Sequence, residues 1–125
     1  MTNYSIGDFL IQIKNAAMAD KREISVKSTK LVSAVAQVLK KAGYLQTVTE
    51  ADGMLNLELG YYKKQPKLVD LRLVSRPGLR QYKNVDDLAA HRGISKFLLS
   101  TPSGVMFSKE ALKKRVGGEV IAEVW

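Results

Sequence analysis

The sequence has no cysteine and only one histidine, His91, among its 125 residues. Disulfide bonds and thiolate metal sites are therefore excluded, and a metal site built from histidines of one chain is not expected. No apolar run approaches the roughly 20 residues that a membrane-spanning helix needs, and the first residues lack the basic-then-apolar layout of a signal peptide. We therefore expect a cytoplasmic protein with no membrane association and no cofactor. A monomer when free is a separate expectation that these absences do not decide.

Recognisable catalytic motifs are also missing. The sequence contains no G-x-S-x-G nucleophile elbow and no G-x-x-x-x-G-K-[ST] phosphate loop. His91 has no serine or carboxylate partner that the sequence singles out, so a solvated histidine is the simpler interpretation. Asp86 and Asp87 are explained most simply as the first turn of a helix. The sequence predicts neither an enzyme nor a small-molecule substrate.

Basic residues are in excess, with 20 Lys and Arg against 12 Asp and Glu and a formal net charge of +8. When the chain is divided after residue 62, the first part carries a net +1 and the second a net +7. The excess could simply keep a small protein in solution, or it could bind a polyanion. Arginines beside glycine and aromatic residues favour the second interpretation, because guanidinium groups suit phosphate and base contacts.

Apolar residues at helical spacing predict two amphipathic helices in the first part of the chain. The first covers residues 4–18, with Asn3 or Ser5 as its N-cap. The second is expected to begin at Ser28 and to end before Gly43. Both apolar stripes are interpreted as core-facing surfaces.

Strand patterns follow the helices. Residues 23–26 alternate as a short strand does, and Asp52-Gly53 is a hairpin turn signal between two further strands. Residues 69–73 alternate again and are expected to join the same sheet. The predicted N-terminal unit, residues 1–74, is a sheet with two helices on one face.

The motif Ser75-Arg76-Pro77-Gly78 breaks the pattern and marks the predicted boundary. The C-terminal unit, residues 75–125, is predicted to be mostly β with short helices, so the fold class is α+β with two small subdomains. Residues 84–87 resemble a capping box, Ser108 is expected to cap a basic helix, and residues 100–104 are expected to form a loop of small hydroxyl residues.

Three stretches of this unit are candidate binding elements, and each has a purely structural alternative. Residues 75–80 offer arginines around a Pro-Gly turn, which could equally be an ordinary turn between units. Tyr82-Lys83 could stack on a base while binding a phosphate, or Tyr82 could be a core residue. The hydroxyls of residues 100–104 could contact RNA, or could belong to a loop with no partner.

Three motifs, in this order and spacing, resemble one known family. They are Ser75-Arg76-Pro77-Gly78-Leu79-Arg80, Ser100-Thr101-Pro102-Ser103-Gly104-Val105-Met106 and Gly117-Gly118-Glu119-Val120. Together with the stretch from Asp8 to Ala16, they make the whole chain similar to the bacterial form of the ribosomal protein S8 family. A lone S-R-P-G would carry little weight.

The resemblance implies a structural constituent of the small ribosomal subunit. Such a protein binds the central domain of 16S rRNA directly, aids 30S assembly, contacts neighbouring ribosomal proteins and can repress translation of its own operon mRNA. It also implies that the hydroxyl loop enters the RNA site near Tyr82, Lys83 and the Gly117-Gly118 turn. Pro102 departs from the serine usual in the family and removes an N–H donor. Glu123 also departs and would repel phosphate, so we expect it to point away from RNA.

A division of labour follows for the bound RNA. Small hydroxyls should read its irregular part, while Lys and Arg side chains provide salt-dependent affinity. Near the first helix and strand, Lys14, Asn15, Lys21, Arg22 and Lys27 form either a second, weaker RNA contact or a solvated face. The predicted RNA-binding residues are Ser100, Thr101, Ser103, Gly104, Arg76, Gly78, Arg80, Tyr82, Lys83, Lys113, Lys114, Arg115, Gly118, Lys14 and Asn15.

Three other functions remain open at the level of sequence. The first is a general double-stranded RNA binder or RNA chaperone outside the ribosome, which would show little preference for a cognate helix. The second is a structural interaction module that binds no RNA. The third is a hydrolase that depends on His91.

Overall fold

The helical pattern near the start of the chain forms helix α1, Ser5–Met18, in a computed structural model that describes residues 5–125. The predicted first helix is confirmed, and its buried residues include Phe9, Leu10 and Ile13. The proposed caps are the Asn3 and Ser5 side chains, and both lie outside the described part of the chain.

After strand β1, Glu23–Lys27, the chain enters helix α2, Lys30–Lys41. The N-cap of α2 is Thr29, whose hydroxyl oxygen accepts a hydrogen bond from the Val32 N–H at 3.1 Å. The prediction that Ser28 opens this helix is therefore wrong. The Ser28 hydroxyl donates instead to the Glu50 carboxylate at 2.9 Å, so it ties the approach to α2 to a neighbouring strand.

The N-terminal unit contains a three-stranded antiparallel sheet in the order β1-β3-β2. The Asp52-Gly53 turn joins β2 to β3, as predicted. Leu55, Leu57 and Leu59 alternate into the core, where α1 packs near β1 and α2 near β2. A small separate hairpin of two short strands, β4 and β5, follows this sheet. The bounds of these strands are Leu45–Ala51 for β2, Met54–Leu59 for β3, Tyr61–Tyr62 for β4 and Gln65–Pro66 for β5.

The C-terminal unit is built on a five-stranded antiparallel sheet with two short helices. Strand β10 is central, with β8 and then β9 on one side and both β6 and β7 on the other. The predicted α+β class is confirmed. The elements are β6 (Leu71–Leu73), β7 (Tyr82–Lys83), α3 (Val85–Ala90), β8 (Lys96–Thr101), β9 (Gly104–Phe107), α4 (Ser108–Lys114) and β10 (Gly118–Val124).

The described chain divides into two compact units, one ending at Val69 and the other spanning Asp70–Trp125. The division therefore falls before residue 70 and not at the predicted boundary after residue 74. The reason is that β6 pairs with the last strand of the chain, β10. The prediction that residues 69–73, which include β6, join the N-terminal sheet was wrong, because alternation identifies a strand but not its partner.

The two short helices differ in how they begin. Asn84 and Asp87 form the predicted capping box of α3, with reciprocal side-chain to N–H hydrogen bonds of 2.8 and 3.1 Å. Helix α4 has no side-chain cap, so the predicted cap at Ser108 was wrong. The Ser108 hydroxyl accepts from the Phe97 N–H at 3.3 Å instead. Ala111 of α4 and Leu88 of α3 are buried in the same core cluster as residues of β8, β9 and β10.

The division into units changes the distribution of charge. Residues 5–69 contain ten basic and six acidic side chains, and Asp70–Trp125 contains the same numbers, so each carries a net +4. The imbalance expected from the sequence was a consequence of dividing the chain after residue 62. Lys63, Lys64 and Lys67 belong to the N-terminal unit, and that unit is as basic as the C-terminal one.

Candidate nucleic-acid interface

The predicted hydroxyl loop is a tight β-hairpin. Ser100 and Thr101 are the last residues of β8 and Gly104 is the first of β9, so only two residues form the turn. The Thr101 hydroxyl donates to the Gly104 carbonyl oxygen at 2.7 Å and accepts from the Ser103 N–H at 3.1 Å. Because these bonds hold its donor, Thr101 shapes the turn and keeps only acceptor capacity for a ligand.

The tip of this hairpin is open to solvent. Pro102, Ser103 and Gly104 are all exposed, and the Ser103 hydroxyl bonds to no group within residues 5–125. A free hydroxyl on a rigid two-residue turn can donate to and accept from a ligand at little entropic cost. Ser103 is therefore the residue of this hairpin best placed for a direct contact.

Gly118 allows the strands of the site to come close together. A Cβ atom at this position would overlap the Ser100 carbonyl oxygen and would lie 3.1 Å from the Thr101 Cα. A Cβ atom at the adjacent Gly117 would likewise overlap the Lys83 carbonyl oxygen. Strand β10 can therefore pass between the Tyr82-Lys83 strand and the hydroxyl hairpin, which gives Gly118 a positioning role.

Three residues form a row across β7, β10 and β8. Glu119 is directly opposite Tyr82 on one side and Ser100 on the other, so the three side chains share one face of the sheet. Tyr82 is 68% exposed, which excludes the core-tyrosine alternative. Lys83 points to the other face, where its Nζ lies 5.3 Å from the centre of the Phe97 ring.

The acidic residue in this row is neutralised. The Arg80 guanidinium lies 3.1 Å from the Glu119 carboxylate, and the two side chains are 46% and 19% exposed. Without Arg80, a negative charge would stand between Tyr82 and Ser100, where it would repel phosphate. The structure therefore gives Arg80 a partner within the protein that the sequence did not reveal.

The residues between β6 and β7 form a closed turn. Arg76 and Leu79 exchange backbone hydrogen bonds of 3.0 and 2.9 Å, and Gly78 has a φ of +83°, as the third residue of a type II turn requires. Arg76 and Arg80 are exposed on either side of it. The turn accounts for the Pro-Gly pair by itself and leaves the phosphate-binding role of Arg76 as a prediction.

The basic end of α4 supplies further cations. Lys114 pairs with Glu110 at 3.5 Å, whereas Lys113 and Arg115 are exposed and have no acidic partner within the described residues. Arg115 closes the helix with a left-handed φ of +56°. Lys113 and Arg115 are therefore better placed than Lys114 to attract an external anion.

His91 is half-buried, not solvated as expected. Its Nε2 lies 3.2 Å from both the carbonyl and hydroxyl oxygens of Ser95, and its ring packs 4.5 Å from that of Phe97, centre to centre. The Ser95 hydroxyl donates to Glu123 at 2.5 Å, so no catalytic order of nucleophile, base and carboxylate results. The arrangement is a structural network that links the end of α3 and the loop before β8 to β10.

Glu123 belongs to this network and is 13% exposed. The Ser95 hydroxyl is the main cause that lowers the pKa of Glu123 below its ordinary value, and the Arg72 guanidinium at 2.7 Å lowers it further against the opposing effect of burial. Two protein groups thus hold this carboxylate, which the sequence had identified as a possible source of repulsion. Its direction relative to RNA stays a prediction.

The remaining predicted residues, Lys14 and Asn15, belong to the N-terminal unit. Lys14 is half-buried and Asn15 is exposed, both on α1. They are therefore not part of the row and hairpin of the C-terminal unit. Within residues 5–125, no three acidic or histidine side chains are grouped as a metal site, and no helix is long and apolar enough to cross a membrane.

Sequence reasoning missed the pairing of Arg80 with Glu119 and the Ser95–Glu123 contact, because both link β10 to residues that precede strands whose order it could not assign. It also passed over the hairpin at residues 61–66. The run Tyr-Tyr-Lys-Lys before a Gln-Pro pair was a usable signal for that hairpin, since it combines strand formers, cations and a turn.

The fold and this face define a basic α+β protein of two compact units, with an exposed aromatic residue and a polar hairpin suited to nucleic acid. A family model described as ribosomal protein S8 matches residues 4–125. The "Small ribosomal subunit protein uS8" of Ectopseudomonas mendocina is 44% identical over 124 residues, covering 96% of this chain and 95% of that protein. Those of Pseudomonas paraeruginosa and Pseudomonas fluorescens are 42% identical with the same coverage.

The chain belongs to the ribosomal protein S8 family, as its three C-terminal motifs predicted. This is a family of ribosomal structural proteins and not a family of enzymes. The hydrolase interpretation based on His91 therefore has no support from either the geometry or the family.

Proposed function

We propose that the chain is a structural constituent of the small ribosomal subunit in the cytoplasm, where it binds the central domain of 16S rRNA and aids 30S assembly. Neighbouring ribosomal proteins would be its protein partners, and its own operon mRNA a second RNA target. The observation that carries the proposal is the row of exposed Tyr82, neutralised Glu119 and Ser100, which ends beside the Ser103 turn. Family membership supports it independently.

The chemistry of this row suits irregular RNA. A-form RNA hides its base edges in a deep, narrow groove, so proteins recognise unpaired bases, 2′-OH groups and backbone shape. Tyr82 offers a face for stacking, while the hydroxyls of Ser100 and Ser103 can donate and accept in a narrow space. Thr101 and Gly118 act by holding these groups in place.

Phosphate binding is assigned to the surrounding cations. Arg76, Lys113 and Arg115 are exposed and have no acidic partner within residues 5–125, so they can release counterions from RNA at full charge. Lys114 already pairs with Glu110 and would contribute less, whereas Lys83 lies over the Phe97 ring and keeps its charge for a phosphate. On the N-terminal unit, Lys14 and Asn15 are proposed as a further contact.

The first test identifies the partner. The tagged chain is captured from a bacterial lysate with and without ribonuclease, and the bound RNA is sequenced. We expect enrichment of the 16S central domain, and recovery of its own operon mRNA would support the second target. Unselective recovery of structured RNA would favour a general RNA binder or chaperone, and no RNA at all would favour a structural module.

The second test separates selection from attraction. Ser103→Ala removes an exposed hydroxyl that no residue of the described range binds, so it should weaken a central-domain transcript but not an unrelated duplex. Lys113→Gln should weaken binding of both RNAs. It should also lower the salt slope, which is the steepness with which log affinity falls against log salt concentration, by about 1. Equal losses on both RNAs for Ser103→Ala would remove the hairpin from selection.

A further inference from the structure

The hairpin at residues 61–66 is an exposed basic element of the N-terminal unit, with two lysines and no acidic residue. Its strands pair Tyr61 with Pro66 and Tyr62 with Gln65, so Lys63 and Lys64 form a two-residue turn. Both lysines have left-handed backbones, with φ of +52° and +67°. A turn of this geometry is most stable with Asn-Gly, so two lysines here present charge at the expense of backbone stability.

The cations at this hairpin are not neutralised by the protein. Lys63 and Lys64 of the hairpin, and Lys21 next to Arg22 in the chain, are exposed and have no acidic partner among the residues that the structure describes. In the C-terminal unit, by contrast, Arg72, Arg80 and Lys114 are all paired with glutamates. The hairpin therefore offers charge to an external anion.

Two tyrosines divide the hairpin into a fixed side and an open side. The Arg22 guanidinium stacks on Tyr61 at 4.3 Å from the ring centre, and the Arg22 carbonyl accepts from the Leu59 N–H at 2.8 Å. The ring contact ties Tyr61 of the hairpin to the residue before β1, and the backbone bond ties the end of β3 to that same residue. Tyr62 is 67% exposed, with the Lys63 ammonium 5.4 Å from its ring centre.

Not every nearby cation belongs to this surface. The Lys67 side chain lies against Gly43, where a Cβ atom would collide with it, so its charge is next to the C-terminal end of α2. Lys27 ends β1 at the opposite end of that strand from Arg22. The structure thus separates Lys21 and Arg22 from Lys27, which the sequence had grouped together.

We propose that the 61–66 hairpin, together with Lys21 and Arg22, is a second RNA-binding surface of this chain. Lys63, Lys64 and Lys21 contact backbone phosphates, and Tyr62 stacks on one unpaired base or on a ribose. An exposed aromatic ring flanked by unpaired cations is the combination that binds single-stranded nucleic acid without sequence preference. The inference rests on the proposed function, because it assigns a second contact with the same rRNA.

The decisive variant is Lys63→Asn with Lys64→Gly. It removes both charges and installs the most favourable residues for the turn, so the midpoint of thermal unfolding should rise or stay unchanged. Titrations of the 16S central-domain transcript at several KCl concentrations should show a salt slope lower by about 1.8. An unchanged slope and affinity would overturn the proposal, and would be the result if the hairpin bound an acidic protein instead.

The aromatic contact has its own variant. Tyr62→Ala should weaken the central-domain transcript about tenfold, within the range for one stacked base. Its salt slope should stay near that of the parent, since no cation is removed. Unaltered affinity would refute the stacking role.

A charge-matched control separates a local effect from a general one. Lys27→Gln with Lys30→Gln removes two exposed lysines from the same unit, at the other end of β1 and the start of α2. This control should keep a slope near the parent value, and an equal drop would overturn the local assignment. Failure of the proposed function would look different, because the parent itself would then show no preference for the 16S transcript.

Discussion

Arg80 can contribute to RNA binding in two ways that predict different results. It could contact phosphate directly, as its position in the motif suggested, or it could neutralise Glu119 at 3.1 Å. The structure favours neutralisation, because Glu119 stands between Tyr82 and Ser100. We expect Arg80→Gln to weaken binding mainly by exposing the negative charge of Glu119.

The size of the effect follows from Coulomb's law. A phosphate about 8 Å from an unpaired carboxylate, at an effective dielectric constant of about 20, is repelled by about 2 kcal/mol. Screening at physiological salt, where the Debye length is also about 8 Å, reduces this to about 1 kcal/mol. That corresponds to roughly a fivefold loss of affinity.

A double-mutant cycle decides between the two roles. Affinity for the central-domain transcript is measured for the parent, Arg80→Gln, Glu119→Gln and the double variant, each at several salt concentrations. Neutralisation predicts that the double variant regains parent affinity and slope. A double variant as weak as Arg80→Gln, with a slope lower by about 1, would refute the reasoning and make Arg80 a phosphate contact.

Three further predictions concern the fold. Gly118→Ala should lower the free energy of unfolding by about 1–3 kcal/mol in denaturant titrations, because the new Cβ must displace the Ser100 carbonyl. An unchanged free energy would contradict the close approach of β10 to the end of β8. Tyr61→Phe should raise the free energy of unfolding by about 1 kcal/mol, because the buried Tyr61 hydroxyl has no hydrogen-bond partner within residues 5–125. A lower free energy of unfolding would show that the hydroxyl does have a partner. The pKa of Glu123 is lower in the folded chain than in the unfolded chain, so the ionised carboxylate stabilises the fold at pH values above the unfolded pKa. This stabilisation is lost as the pH falls through the folded pKa. Ser95→Ala should therefore reduce the acid dependence of the unfolding temperature below about pH 4.5, and an unaltered dependence would contradict the role of the Ser95 hydrogen bond.

Local patterns predicted the elements well because their causes are local. The periodicity of α1, the Asp52-Gly53 turn and the capping box at Asn84 all depend on residues within a few positions of one another. The same is true of the alternation of Val120, Ala122 and Val124, which are buried along β10. Where neighbours in sequence decide the structure, the sequence was sufficient.

Errors arose where distant partners decide. The alternating residues of β6 could not show that this strand pairs with β10, so the division between the units and the distribution of charge were both misplaced. Ser28 and Ser108 are plausible caps by type, but each bonds elsewhere. The candidate site was predicted largely from its motifs, whereas the proposed roles of Thr101 and Gly118 in positioning it required the cross-strand geometry.

The central claim is that the C-terminal face selects its RNA and does not merely attract it. The most direct measurement is the ratio of the dissociation constants of the parent chain for the 16S central-domain transcript and for an unrelated duplex of equal length, at one physiological salt concentration. The account predicts a preference of at least about a thousandfold for the central domain. Equal affinities for the two RNAs would contradict it.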